Sequence, residues 1–150
     1  GTVNLSAALE IVGVPKSFIF ISTLDVYGLA AGEGIDESYP CHPTTHYAIS
    51  KLQAEEYLIK WAEAKGVTLG ILRPSLMTGP NPPGNLKAMI NGIKKGYYVN
   101  ISGGHTRKSL MMIYDIAHVV PKIENIGGTY NLCDNRHPSY YELSKCIGKQ

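Results

Sequence analysis

Several features that would assign a function class outright are missing from this sequence. No apolar run approaches the eighteen or so residues of a membrane span, and no signal-peptide pattern opens it. A membrane partner is therefore not expected. Charge of one sign is scarce: the net charge is +2, and Lys94-Lys95 and Arg107-Lys108 are its basic doublets. Nucleic-acid binding needs a concentrated basic face, so no nucleic acid is expected either. Cysteine is sparse, and Cys41, Cys133 and Cys146 are odd in number and never paired at metal-ligand or redox spacing. Free thiols in a reducing cytoplasm are the expectation. The five histidines show no pattern of carboxylate partners, and no metal site is expected.

What is present suits one ordinary domain with a real core. Hydrophobic content of 44% and charged content of 17% exclude wholesale disorder. Residues 6–12 are apolar at helical spacing and stop at Gly13 and Pro15. Residues 17–22 form a continuous apolar run without alternation, which predicts a strand buried on both faces of a parallel sheet. A Gly- and Pro-rich loop spans 23–43, a length that marks functional or mobile loops. A helix follows over 45–65, N-capped by Thr44 or Thr45 and closed by Gly66. The next buried strand is 67–72. Helix, strand, loop, helix, strand is the rhythm of a doubly wound α/β fold.

Beyond Pro74 the pattern changes. Residues 78–84 are dense in turn formers, and 85–95 read as an amphipathic helix. Short strands are expected at 97–101 and 108–113 around a Gly103-Gly104 turn, a helix at 115–122 and a strand at 129–132. Ser139 and Glu142 form a capping box for a last helix. These elements predict a smaller α/β lobe beyond the carboxyl ends of the strands, where ligands of open α/β sheets bind.

The stretch that carries chemistry is Tyr47-Ala-Ile-Ser-Lys51. Four residues make about one helical turn, so Tyr47 and Lys51 share a face. A free tyrosine keeps its proton to about pH 10. A cation one turn away favours the phenolate and brings proton exchange toward neutrality. Thr23, with Ser22 beside it, offers a hydroxyl at the end of an apolar strand. By itself the pair is also compatible with a core-facing aromatic and a snorkelling lysine.

The ordered series of motifs is more specific than any one of them. Ile21-Ser-Thr-Leu-Asp-Val-Tyr-Gly28, Asp36-Glu37 and Pro43-x-x-x-Tyr47-x-x-x-Lys51-x-x-Ala54-Glu55 come first. Leu72-Arg-Pro74, Gly79-Pro80, Arg107, Tyr114-Asp-Ile-Ala117 and Gly128-x-Tyr-Asn-Leu132 follow. Over nearly its whole length the chain resembles the extended short-chain dehydrogenase/reductases, the NAD-dependent epimerase/dehydratase family of nucleotide-sugar enzymes, which includes UDP-glucose 4-epimerase. The resemblance implies an α/β fold: the C-terminal portion of a doubly wound, Rossmann-like parallel sheet plus a small substrate-binding lobe. Residues 1–74 would be part of the dinucleotide-binding domain, and 75–150 mainly the lobe, with some elements returning to the core.

The same resemblance implies roles. Tyr47 would be the general acid/base, Thr23 would share the substrate oxygen, and Lys51 would tune Tyr47 and hold the nicotinamide ribose. Ser22 and Pro74 would join Tyr47 and Lys51 against the cofactor, NAD or NADP. Arg107 would grip a nucleotide-sugar diphosphate, which suits a forked guanidinium; Thr23, Asp25 and Asn85 would complete the substrate contacts. A homodimer is implied for the full-length protein. Three departures qualify this. The Asp-Glu pair that serves water elimination in the sugar 4,6-dehydratases is replaced by Leu24-Asp25, which argues against a dehydratase. Thr78 replaces the usual tyrosine before Gly-Pro, and the 79–84 loop is short, which leaves the sugar open. The Gly-x-x-Gly-x-x-Gly turn that cradles a pyrophosphate is absent, so a truncated chain, inactive alone, is expected. The expected activity is that of a nucleotide-sugar epimerase or 4-ketoreductase in surface polysaccharide synthesis. The alternatives are a reductase of non-nucleotide carbonyls and a non-catalytic dinucleotide-fold interaction module.

Overall fold

The structure, a computed structural model, describes residues 1–29, 32–82 and 84–148. Ala30 and Ala31 of the expected 23–43 loop, and Pro83 of the expected turn segment, lie outside the described residues. The chain divides into two compact units. The first comprises Gly1–Pro74 and Ala117–Leu132, the second Ser75–Ile116 and Cys133–Gln150.

In the first unit, helix α1 (Thr2–Val12) precedes strand β1 (Ser17–Ile21), helix α2 (His46–Lys65) and strand β2 (Thr68–Pro74). Thr45 caps α2 by accepting the Ala48 amide proton at 3.2 Å. Gly66 ends it in the left-handed conformation, φ 66°, which glycine adopts without a Cβ penalty. Along α2, Leu58, Trp61 and Ala62 recur at helical spacing and are buried. They pack with Val67, Leu9, Phe18, Phe20 and Leu69. Phe18 and Phe20 stand two residues apart and so face the same side of the sheet. Full burial of side chains such as Leu58 contributes about 1.5–3 kcal/mol each.

Strand β2 is central. It pairs in parallel with β1 (Phe18 beside Leu69, Ile21 beside Leu72) and with β5 (Gly128–Leu132), giving the order β1-β2-β5. On the other face Gly70 has no side chain, and Ile19 and Ile123 close over it. The parallel sheet with its flanking helices is the Rossmann-like α/β arrangement that the pattern of buried runs predicts. One detail needs correction. β1 is half-buried along all five residues rather than buried on both faces, because it has a paired strand on one side only among the described residues.

In the second unit, β3 (Leu76–Thr78) pairs in parallel with β4 (Leu110–Met112). Helix α3 (Gly84–Lys94) packs on α5 (Tyr140–Gly148), and α4 (Ile113–Ile123) runs on into the first unit. Of the two strands expected around Gly103-Gly104, that at 108–113 is present as β4, but that at 97–101 is not formed. Residues 97–100 form no strand, and Ile101–Gly104 make a 3-10 turn with Ser102 and Gly103 at φ 49° and 71°. That turn carries the chain away from a hairpin, and β4 finds its partner in β3. The capping box is present: the Ser139 amide donates to Glu142 at 2.7 Å and the Glu142 amide to Ser139 Oγ at 3.2 Å. Those bonds hold the Glu142 carboxyl below the usual range, with Arg107 adding to the effect.

Candidate active site

The first unit collects most of the residues singled out by sequence at the carboxyl ends of β1 and β2. Ser22 extends the ladder past β1, its amide donating to the Leu72 carbonyl at 2.6 Å. Its hydroxyl is buried and has no hydrogen-bond partner among the described residues. Buried hydroxyls are nearly always paired; the Ser75 hydroxyl, just past β2, is likewise buried without a partner among the described residues. Thr23 comes next, almost fully buried, and caps a 3-10 turn, Leu24–Tyr27; its Oγ1 accepts the Asp25 amide proton at 3.2 Å. The Asp25 side chain is exposed.

Tyr47 is the second residue of α2 and is 56% exposed, so it is not a core aromatic. Lys51, one turn on, is anchored to β1. Its Nζ donates to the Ile21 carbonyl at 2.8 Å and stands 5.0 Å from the Phe20 ring centre and 5.8 Å from that of Tyr47. One of its three N–H donors is therefore spent on the strand end. The first turn of α2 is thereby held beside the end of β1, two residues before Thr23. Pro74, buried, ends β2 opposite Leu132 of β5.

A group of residues behind this site was not assigned a role from sequence, although each lies in a quoted motif. Arg73 of β2 is buried at 7% exposure and Glu55 of α2 at 1%. The Arg73 Nε donates to both Glu55 oxygens at 3.2 Å, and Nη2 to Oε2 at 2.6 Å. Nη1 donates to the Tyr27 hydroxyl at 2.7 Å, and Tyr27 donates in turn to Asn131 Oδ1 at 2.9 Å. Asn131 of β5 gives its amide to Glu37 at 2.7 Å and its Nδ2 to the Ile35 carbonyl at 3.2 Å. Burial disfavours the Arg73 charge, but the bonds to Glu55 and Tyr27 outweigh it and hold the guanidinium more firmly protonated than usual. A charged pair written into two buried elements was the available signal: ionised side chains are rarely buried unless paired. Cys41, half-buried, has its thiol pushed up chiefly by burial, with Arg73 opposing.

The second unit carries the other two candidates. Asn85, exposed near the start of α3, borders an open cleft of about 330 Å³ with Met89, Tyr97, Tyr98, Val99 and Tyr140. Arg107 is exposed; its Nη1 donates to the His137 carbonyl at 3.0 Å and its backbone bridges to Ser139. His42 and His46 are four residues apart, but His42 precedes α2 and the two share no helix face. Among the described residues no three His, Cys, Asp or Glu side chains gather as metal ligands do.

Residues 1–133 match the NAD dependent epimerase/dehydratase family. The N-acetyl-alpha-D-glucosaminyl-diphospho-ditrans,octacis-undecaprenol 4-epimerase of Escherichia coli O157:H7 is 34% identical over 135 residues, 88% of this chain and 40% of that protein. GDP-6-deoxy-D-mannose reductase of Pseudomonas aeruginosa is 28% identical over 98% of this chain and 53% of its own. The solved structure of RMD from Pseudomonas aeruginosa complexed with NADPH superposes with a TM-score of 0.83 at 27% identity, over 96% of this chain and 54% of that one. The chain thus spans about half the length, or less, of these relatives.

Proposed function

The chain belongs to the NAD-dependent epimerase/dehydratase family, and from that premise we propose that it is part of an NAD(P)-dependent nucleotide-sugar epimerase or 4-ketoreductase. The observation that carries the reading is the Lys51 ammonium held 2.8 Å from the Ile21 carbonyl and 5.8 Å from the Tyr47 ring centre, with Thr23 two residues beyond Ile21. Ser22, Tyr47, Lys51 and Pro74 would hold the cofactor. The fit rests on the orphaned Ser22 hydroxyl and the two remaining Lys51 donors at the carboxyl ends of parallel strands, where ligands of open α/β sheets bind. Bound nicotinamide supplies hydride acceptance and return at a sugar carbon.

The chain's own residues handle the proton. Tyr47 Oη takes the proton from the C4 hydroxyl as the ketone forms and gives it back when the hydroxyl is restored. Thr23, fixed as the cap of its turn, hydrogen-bonds the same oxygen and keeps it within reach. Lys51 keeps positive charge beside the ring whose oxygen is negative in mid-transfer. An epimerase runs these steps in both directions on one sugar; a 4-ketoreductase runs the second alone. Asp25, Asn85 and Arg107 are proposed substrate contacts, Arg107 on the diphosphate. Leu24-Asp25 in place of an acidic pair argues against the dehydratase reaction. The bond from Arg107 to His137 favours one other reading, a reductase of non-nucleotide carbonyls in which that guanidinium is structural.

In the full-length protein, Tyr47→Phe removes one hydroxyl and is expected to lower turnover about 10²–10⁴-fold, the usual contribution of a general acid/base. The assay follows cofactor oxidation with a panel of nucleotide-linked 4-keto sugars, and epimer formation from the hydroxy sugars. Turnover in Tyr47→Phe equal to the parent refutes the mechanism. Failure of every nucleoside diphosphate to compete moves the substrate to simple carbonyls.

A further inference from the structure

Tyr47, Lys51 and Glu55 lie at i, i+4 and i+8 and form one stripe along α2. Lys51 reaches the end of β1. Glu55, one turn deeper, reaches Arg73, and Arg73 continues to Tyr27 in the turn that Thr23 caps. The helix that bears Tyr47 and the turn that bears Thr23 are thus joined by two consecutive buried links, Glu55–Arg73 and Arg73–Tyr27. The second is directional at both ends of Tyr27: its hydroxyl accepts from Arg73 and donates to Asn131, and its ring lies 5.0 Å from the guanidinium carbon. Neighbouring Val26 is fully buried, so the turn is also anchored by an apolar side chain.

We infer that Arg73 and Tyr27 are positioning residues for the reaction: they set the Thr23 hydroxyl against the Tyr47 hydroxyl and touch neither substrate nor cofactor. The inference rests on the acid/base reading of Tyr47 and Thr23 given above. Stability alone is a weak reason for the arrangement, since well-packed apolar residues in place of a buried ion pair are often as stable or more so. An apolar replacement has no preferred rotation, whereas a fork with four donor contacts has one. Displacement of a reacting group by about 1 Å can cost roughly 10²-fold in rate, so rotational looseness of the turn is enough to matter.

Tyr27→Phe in the full-length enzyme keeps the ring and removes both hydroxyl bonds. The expected result is a loss of about tenfold to a hundredfold in kcat, with the KM values for cofactor and sugar nucleotide nearly unchanged. The decisive readout is the cycle with Thr23→Val. If Tyr27 acts through Thr23, Tyr27→Phe costs little more once the Thr23 hydroxyl is gone. Arg73→Lys, which keeps the buried charge but falls short of Tyr27, should show the same non-additivity and serves if Tyr27→Phe does not fold. The inference is overturned by an unchanged kcat, or by losses that multiply in the double variant. Tyr47→Phe is measured alongside. Full turnover there overturns the acid/base reading and this inference with it, whereas an inactive Tyr47→Phe with multiplying losses overturns this inference alone.

Discussion

Removal of Glu55 is the perturbation whose consequence the structure states most directly. Glu55→Ala deletes the acceptor for three of the four oxygen-directed contacts of Arg73 and leaves a guanidinium buried at 7% exposure with only the neutral Tyr27 hydroxyl and Cys41 thiol beside it. Breaking a buried pair from one side typically costs about 3–5 kcal/mol, because the desolvation of the surviving charge is no longer offset. That is about a fifth or more of the roughly 5–15 kcal/mol by which a domain is stable. With a urea slope of about 1–3 kcal/mol per molar, the unfolding midpoint should fall by roughly 2 M. Removing both charges as Glu55→Leu with Arg73→Met should restore most of the loss. The sign with pH is also determined. Against burial, the bonds of Arg73 to Glu55 and Tyr27 hold it more firmly protonated in the folded state, so its contribution is fully present throughout the range in which a free arginine is charged. The cost of Glu55→Ala should therefore stay constant from about pH 7 to pH 10. Equilibrium urea unfolding of the three proteins decides the matter. A single variant within about 1 kcal/mol of the parent, or a double variant as unstable as the single one, contradicts the account of an unpaired buried charge.

Two further outcomes are expected. Gly66 and Gly28 both have positive φ, 66° and 69°, but a Cβ on Gly66 meets open space whereas one on Gly28 overlaps the His42 carbonyl oxygen. Gly66→Ala should cost about 1–2 kcal/mol of strain, and Gly28→Ala several-fold more by thermal unfolding, with loss of turnover because the Thr23 turn cannot close; equal costs would contradict this geometry. Glu142 is held below the usual carboxylate range by the Ser139 amide and hydroxyl, so its stabilisation of the α5 start is present above the unfolded pKa of about 4.3 and is lost as pH falls through the lower folded value. Hydrogen exchange at the first amides of α5 should quicken over that range; Ser139→Ala keeps the amide bond and should only weaken the pH dependence, whereas Glu142→Gln should remove it.

Local chemistry determined much of the first unit and the start of α5 in the second. The bounds of α2 follow from a threonine that accepts the Ala48 amide and a glycine free to turn left-handed, both visible in sequence. The unbroken apolar runs identified β1 and β2 as parallel strands, and the Ser139–Glu142 spacing identified the start of α5. The Tyr47–Lys51 spacing places both side chains on one face by helix geometry alone. Tertiary structure decided the rest, because the deciding partners are far apart in the chain. Residues 97–101 carry strand-forming side chains, yet a strand exists only where another strand pairs with it, and β4 pairs with β3 instead. Residues 117–132 join the first unit through the β2–β5 ladder. Glu55, Tyr27 and Asn131 meet Arg73 or one another across 18, 46 and 104 residues. No local period signals such contacts; they arise only when helix, turn and two strands fold over one buried charge.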